Sequence, residues 1–236
     1  MVIVDIIADV VASMKVPFTI THMSPTTGGF IITVDRDFPL YNLGKYVTFT
    51  TVDGSSELLC DAIDGNAIRV QSKAGEYNTP VSVTPTAPMF LHGHPRDIVA
   101  QLQELVHNEK RFPLIAMFEP FEETVSTDSY VEAKLDFVIC NLTKPDYHSP
   151  QRYDFNMRPV LLPLKDLFIE ALKSYVKPLN YKKQLSFTAI NQTYWGKQGL
   201  YGSEGNIFND HIDAIELKNV DLLFTSENCI SYGKLA

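Results

Sequence analysis

The chain has 236 residues, of which 45% are hydrophobic and 20% charged, and its formal net charge is -8. This length and composition allow a sizeable core, which excludes disorder as the main state, and the acidic excess argues against wrapping duplex nucleic acid. No run of about 18 apolar residues occurs, and no basic segment precedes the first apolar stretch, so we expect neither a membrane span nor a secretory signal. Cys60, Cys140 and Cys229 are widely spaced beside apolar residues, which favours buried thiols over disulfides or a zinc site.

The N-terminal segment, residues 1–39, is predicted to contain a helix and a hairpin. Apolar residues recur at helical spacing through residue 14, so this stretch is predicted to be an amphipathic helix. Residues 16–22 and 30–35 are β-branched and aromatic and flank turn-forming residues that begin at Met23, which predicts a hairpin. We expect this helix and hairpin to join the domain formed by the C-terminal residues.

Residues 40–90 have a different pattern, with short apolar runs separated by turns. Asp53-Gly54 and Asp64-Gly65 each lie between two candidate strands, which predicts a small antiparallel barrel or sandwich. Pro80, Pro85 and Pro88 then lie in a threonine-rich stretch that is predicted to be a stiff, extended connection. We therefore place a domain boundary near residue 90.

Residues 91–236 alternate between helical and extended patterns. An acidic segment separates the first two strand candidates, and residues 144–159 are predicted to be a long polar loop. The order of elements predicts an α+β domain in which helices pack on one antiparallel sheet. The predicted elements are a helix from Pro95 to about His107, strands at 112–120 and 130–143, a helix at 160–175, and strands at 184–195 and 211–225.

Side chains able to carry chemistry are present, but their spacing is weak evidence for an active site. His92 and His94 could offer two imidazoles to a metal, yet no cysteine or carboxylate stands at ligand spacing, which favours a polar hinge into the helix that Pro95 begins. Glu119, Glu122 and Glu123 are typical of a solvated acidic loop. The glycines spaced by three in 196–205 lack the Lys-Ser/Thr ending of a nucleotide-binding loop. We expect no catalytic residue, no metal and no cofactor.

Several segments of the second half resemble one family of viral structural proteins. They are Arg111–Glu122, Ile139–Thr143, Arg152-Tyr153, Val160–Lys165 and Asp213–Leu222. In these segments the chain is similar to the neck and tail-completion (tail-terminator-like) proteins of tailed bacteriophages, above all those of Bacteroidetes phages and prophages. The resemblance implies a small α+β subunit that assembles into a six- or twelve-membered ring at the head–tail junction. The strand-rich domain in the first 94 residues departs from that pattern.

The expected function is therefore structural and not enzymatic. The resemblance implies a virion subunit, assembled in the cytoplasm of the bacterial host, that joins portal or neck proteins to tail proteins while DNA passes through the lumen. The acidic net charge suits a wall that duplex DNA slides past, and we expect neither sequence-specific DNA binding nor a membrane partner. Two alternatives remain open, namely a metal-dependent hydrolase using the region of His92 and His94, or a ligand-binding β module.

Six side chains are predicted to become buried only when the ring assembles. They lie on projecting loops, and aromatic and arginine side chains are typical anchors of protein interfaces. For Trp195 and Tyr153 the alternative is that they cover the core of their own domain. The six are Met23, Tyr147, Arg152, Tyr153, Trp195 and Tyr201.

Overall fold

A computed structural model describes residues 2–71, 80–104, 111–125, 130–175, 185–196 and 211–225. The chain divides into two compact units. One comprises residues 15–87, and the other combines residues 1–14 with residues 88–236. The smaller unit is thus inserted into the larger one, directly after the first helix.

The smaller unit is a closed barrel of six antiparallel strands in the order β1-β2-β5-β4-β3-β6. The hairpin of residues 16–35 was predicted to join the α+β domain, and that prediction is wrong, because its two strands complete this barrel. Phe18, Ile32 and Val34 on the hairpin are buried in the barrel core. The strands are β1 (Phe18–Thr26), β2 (Gly29–Val34), β3 (Tyr46–Thr51), β4 (Gly54–Asp64), β5 (Ala67–Gln71) and β6 (Ser82–Thr84).

Buried and exposed side chains alternate along the strands, so that apolar residues fill the interior of the barrel. Ile68 and Val70 of β5 point inward and are fully buried, whereas Arg69 between them points outward and donates from Nε to Asp61 Oδ1 at 2.7 Å. Glycine is required where β2 begins, because a Cβ on Gly29 would collide with the carbonyl oxygen of Val70 on the paired strand.

The larger unit is a mixed α+β domain built on one six-stranded sheet. Its main row has the order β11-β12-β10-β8-β7, and β9 pairs with β10 beyond the end of β8. The long central strands β10 and β12 share most of their length. The elements are α1 (Val2–Ser13), β7 (Met89–Gly93), α2 (Pro95–Glu104), β8 (Leu114–Phe118), β9 (Glu122–Val125), β10 (Tyr130–Leu142), α3 (Ser149–Arg152), a π-helix (Tyr153–Leu161), α4 (Leu162–Tyr175), β11 (Thr188–Gln192) and β12 (Ile212–Thr225).

The sequence predicted one antiparallel sheet, and that prediction is wrong for one pair of strands. Strand β7 runs parallel to β8, and α2 connects them, so the segment 89–118 is a strand-helix-strand crossover. The predicted extended connection ends at Pro88, and the apolar residues after it form β7. The acidic segment predicted between two strands also contains a strand, β9, which pairs with residues 131–134 of β10.

Helices cover both faces of the sheet. Ile98 and Leu102 of α2 pack on the face that carries Val138, whereas the ring of Phe137, on the opposite face, lies 5.2 Å from that of Phe168 on α4. Helix α1 packs against α4. Both faces of β10 are buried over residues 137–140, as expected for a strand inside the sheet. Helix α1, predicted from its apolar periodicity, is also present.

Two of the three cysteines fall within the described residues, and both are buried free thiols as predicted. Burial raises the pKa of Cys60 to about 12 and also raises the pKa of Cys140. Cys229 lies outside the described residues. In the described part of the chain, every helix is too short or too polar to cross a bilayer.

Residues 149–175 form a continuous helical segment of α3, the π-helix and α4, so the predicted polar loop at 144–159 is wrong over most of its length. A π-helix has i→i+5 hydrogen bonds and about 4.4 residues per turn. At that period the buried residues Asn156, Met157, Val160 and Leu161 share one side, and the exposed residues share the other. The sequence pattern did not reveal this segment because the polar Asn156 lies on its buried side and Pro159 lies within it.

Candidate functional site

A fully buried ion pair fixes the helical segment to the sheet. Arg152, the last residue of α3, donates from Nη1 to Asp213 Oδ1 at 3.0 Å, and neither side chain is accessible to solvent. Asp213 is the second residue of β12 and lies directly opposite Asn141 of β10. A charge in such a position is stable only when it is paired and its remaining hydrogen-bonding groups are satisfied.

Two asparagines contribute hydrogen bonds around the buried ion pair. Asn156, on the buried side of the π-helix, donates from Nδ2 to the second carboxylate oxygen of Asp213 at 2.9 Å. Its Oδ1 accepts a hydrogen bond from Nδ2 of Asn141, also at 2.9 Å. The π-helix is thereby tied to both central strands of the sheet.

The guanidinium of Arg152 binds the chain on its other sides as well. Its Nε donates to the carbonyl oxygen of Tyr147 at 2.9 Å, and its Nη2 contacts Nδ1 of His211 at 3.2 Å. It also stacks on the ring of Tyr194, with its central carbon 3.7 Å from the ring centroid. The phenol of Tyr194 donates to the same Tyr147 carbonyl at 2.8 Å, and its backbone N–H donates to Asp213. We call the residues joined by these contacts the Arg152 network; they are Asn141, Tyr147, Arg152, Asn156, Tyr194, His211 and Asp213.

Aromatic side chains are exposed on the outer side of the segment that this network holds. Phe155 on the π-helix is 61% exposed, and its ring lies 5.4 Å from that of Tyr147. Tyr153 is 41% exposed and lies 5.5 Å from the guanidinium of Arg158. We call Tyr147, Tyr153, Phe155 and Arg158 the aromatic face. The contacts form two pairs, Tyr147 with Phe155 and Tyr153 with Arg158. Aromatic and arginine side chains of this kind are enriched in the cores of protein interfaces.

For two of the six predicted interface residues, the expectation that burial awaits assembly is wrong. Arg152 is fully buried in its own chain because it neutralises Asp213. Trp195 is 3% exposed and lies in the core between the sheet and α2. This is the alternative that the sequence left open for Trp195.

The other four predicted interface residues have different positions. Tyr147 and Tyr153 belong to the aromatic face, and no observation tests their contact with a partner. Met23 lies on β1 of the barrel, where its side chain is partly buried and packs against the barrel core. Tyr201 lies outside the described residues.

Trp195 has a polar partner that the sequence did not reveal. Its indole Nε1 donates to Glu216 Oε1 at 2.8 Å, and Glu216 is also buried. The ring lines an apolar cavity of about 10 Å³, together with residues that include Ile98 and Cys140. A cavity of that size holds one water molecule at most, and an apolar lining disfavours even that.

The histidine and acidic residues considered for metal binding are distributed as follows. His92 on β7 has Nε2 2.9 Å from Oε1 of Glu119, which follows β8. The backbone carbonyl of His94 accepts from the N–H groups of Asp97 and Ile98, so His94 leads into α2 as predicted. His92 and Gly93 were predicted to belong to the same hinge but lie on β7. Glu122 and Glu123 are exposed on β9. Among the described residues, no three metal-ligating side chains come together.

Sequence reasoning found Tyr147, Arg152 and Tyr153 but missed Asp213, Asn156 and Phe155. Asp213 is 61 residues from Arg152, and no local pattern pairs them. Asp213 does not stand out in the sequence of β12, which also contains Glu216, Lys218 and Asp221.

The comparisons with known proteins place this chain in no group. No family model matches it, and no curated protein or solved structure does so either.

Proposed function

We propose that the protein is a structural subunit that assembles with copies of itself into a ring at the head–tail junction of a tailed bacteriophage. The observation that carries the proposal of assembly is the aromatic face. Exposed rings on a mobile loop lose conformational freedom when they bind, whereas those of the π-helix are already held by the buried Arg152 network. The aromatic face is therefore ordered before any partner binds, which lowers the entropy cost of binding another protein.

The phage assignment rests on the resemblance in the second half of the chain and on its charge. The proposed location is the virion, after assembly in the host cytoplasm, with portal, neck and tail proteins as neighbours. The net charge of -8 suits a ring through which DNA passes without binding. The tail-terminator-like character of the α+β unit belongs to this same proposal, and the barrel is an added module on that subunit.

Substitution on the aromatic face tests the assembly. Phe155→Ser removes an exposed ring, and Tyr46→Ser is the matched control, since Tyr46 is 58% exposed on the barrel. We expect both variants to melt as the wild type does. Truncating a central interface anchor costs about 2 kcal/mol or more, which is about 30-fold in affinity. Phe155→Ser should therefore require about 30-fold more protein to assemble, as measured by analytical ultracentrifugation, while Tyr46→Ser assembles normally.

Equal assembly of the two variants would contradict the role of the aromatic face. The phage assignment has its own test, which is a density map of tailed particles that contain this chain. We expect the chain in a six- or twelve-fold ring between head and tail, and its location in any other part of the particle would refute the assignment.

A further inference from the structure

Among the described residues, β11 and β7 end the main row of the sheet, and both lack the charged side chains that are present on β9. Natural sheets protect free edges from pairing with other chains by placing charged residues or proline there. Strand β9 follows this rule, since Glu122 and Glu123 are exposed on it. The two strands that end the row do not, because β11 reads Thr-Ala-Ile-Asn-Gln and β7 reads Met-Phe-Leu-His-Gly, with no acidic residue, lysine, arginine or proline.

These two strands also match in length and direction. Each has five residues. Following the pairings across the row, β11 runs opposite to β12, β12 opposite to β10, β10 opposite to β8, and β8 parallel to β7. Strand β11 therefore runs opposite to β7. If one copy is placed beside another by rotation about a ring axis, the β11 of one meets the β7 of the next in antiparallel orientation, which is the more stable pairing.

We infer that neighbouring copies join head to tail, with β11 of one copy adding to the sheet of the next copy at β7. The inference rests on the proposed function, because it names the contact by which the ring closes. The occupant of each edge is a second copy of this chain.

The strand pair needs additional surface to make a stable contact. A pair of five-residue strands is too small for a stable interface, which commonly buries at least about 1,200 Å². Tyr147 of the aromatic face lies near the end of β11 and can add to the contact, since its carbonyl accepts the phenol hydrogen of Tyr194, two residues after this strand. A heterologous contact of edge and aromatic face therefore has both hydrogen bonding and apolar surface.

A charge on β11 tests the inference in the full-length protein. Ile190 and Ile31 are each 39% exposed, and Ile31 lies on β2 of the closed barrel, which has no free edge. Ile190→Lys places on β11 the kind of residue that blocks edge pairing, and Ile31→Lys is the matched control. We expect Ile190→Lys to melt near the wild type and to raise the concentration for half assembly about tenfold or more, with no such change for Ile31→Lys. Rings that form equally well with Ile190→Lys would overturn the inference while leaving the proposed function intact.

Cross-linking identifies which edges meet. In a Cys229→Ser background, Asn191→Cys on β11 and Phe90→Cys on β7 lie opposite each other when the two strands pair in centred register. Treatment with a short bis-maleimide should give oligomers larger than dimers only when both cysteines are present in one chain. Dimers from Asn191→Cys alone would show that β11 pairs with β11 and would overturn the head-to-tail contact. Assembled rings without cross-links would overturn it as well, and a wild-type chain that remains monomeric would refute both this inference and the proposed function.

Discussion

Replacing Arg152 with methionine leaves the carboxylate of Asp213 buried without its cation. Removal of one partner from a buried ion pair costs about 3–5 kcal/mol of stability, because the remaining charge stays desolvated. Asp213 keeps hydrogen bonds from Asn156 and from the backbone of Tyr194, but neither donor carries a charge. For a urea m-value of about 1–3 kcal/mol/M, this loss lowers the midpoint of unfolding by roughly 1–5 M.

The assay uses the single tryptophan of the chain. Trp195 is buried in the α+β unit, so its fluorescence reports the unfolding of that unit and not of the barrel. Arg158→Met is the matched control, since Arg158 lies 3.8 Å from Asp154 in a pair whose side chains are 69% and 58% exposed. Such a surface pair contributes at most about 1 kcal/mol.

A double variant shows whether the unpaired carboxylate causes this loss of stability. If the cost of Arg152→Met comes from the unpaired carboxylate, then Arg152→Met combined with Asp213→Leu should recover a large part of the loss. A midpoint for Arg152→Met close to that of Arg158→Met would refute the conclusion that the pair is buried and required. A double variant as unstable as the single one would show that the cost comes instead from the hydrogen bonds that Arg152 makes to the backbone.

Further predictions concern both units. Trp195→Ala should destabilise the isolated chain by about 3–5 kcal/mol in circular dichroism melts, since it empties a core position and removes the donor to Glu216; a normal melt with lost assembly would instead make Trp195 an interface residue. Burial lowers the pKa of Lys45 to about 8 from its usual 10.5, so the unfolded chain binds more protons between these values and the contribution of Lys45 to stability rises with pH across that window. Lys45→Met should stabilise the barrel by up to about 3 kcal/mol below pH 8, and this advantage should shrink from pH 8 to 10.5; a constant difference would show that the lysine is not desolvated. Replacing residues 15–87 with a short linker should leave a folded α+β unit with the blue-shifted fluorescence of a buried tryptophan, and red-shifted emission would show that the unit needs the barrel.

The elements that the sequence predicted well are those with a standard hydrophobic period. Helix α1 and strand β10 have apolar residues at spacings of 3.6 and 2, and both are present. The π-helix was missed because the polar Asn156 lies on its buried side and Pro159 lies within it, and both weaken the sequence pattern of a helix. The first hairpin was predicted correctly as a hairpin but assigned to the wrong domain, since its partner strand β5 lies more than 30 residues further along the chain.

The candidate site was predictable only in part for a related reason. Tyr147, Arg152 and Tyr153 were found because aromatic and arginine residues cluster in one segment of the sequence. Whether Arg152 faces solvent or the core depends on Asp213, a partner 61 residues away, and no local pattern contains that information. Burial of Arg152 therefore became evident only from the fold.

The central claim, that this chain forms a closed ring of identical subunits, is tested most directly by native mass spectrometry of the full-length protein over increasing concentration. We expect one discrete oligomer of six or twelve subunits, formed through the aromatic face and shifted to about 30-fold higher concentration in Phe155→Ser. A monomer at every concentration, or an open series of oligomers without a preferred size, would contradict it.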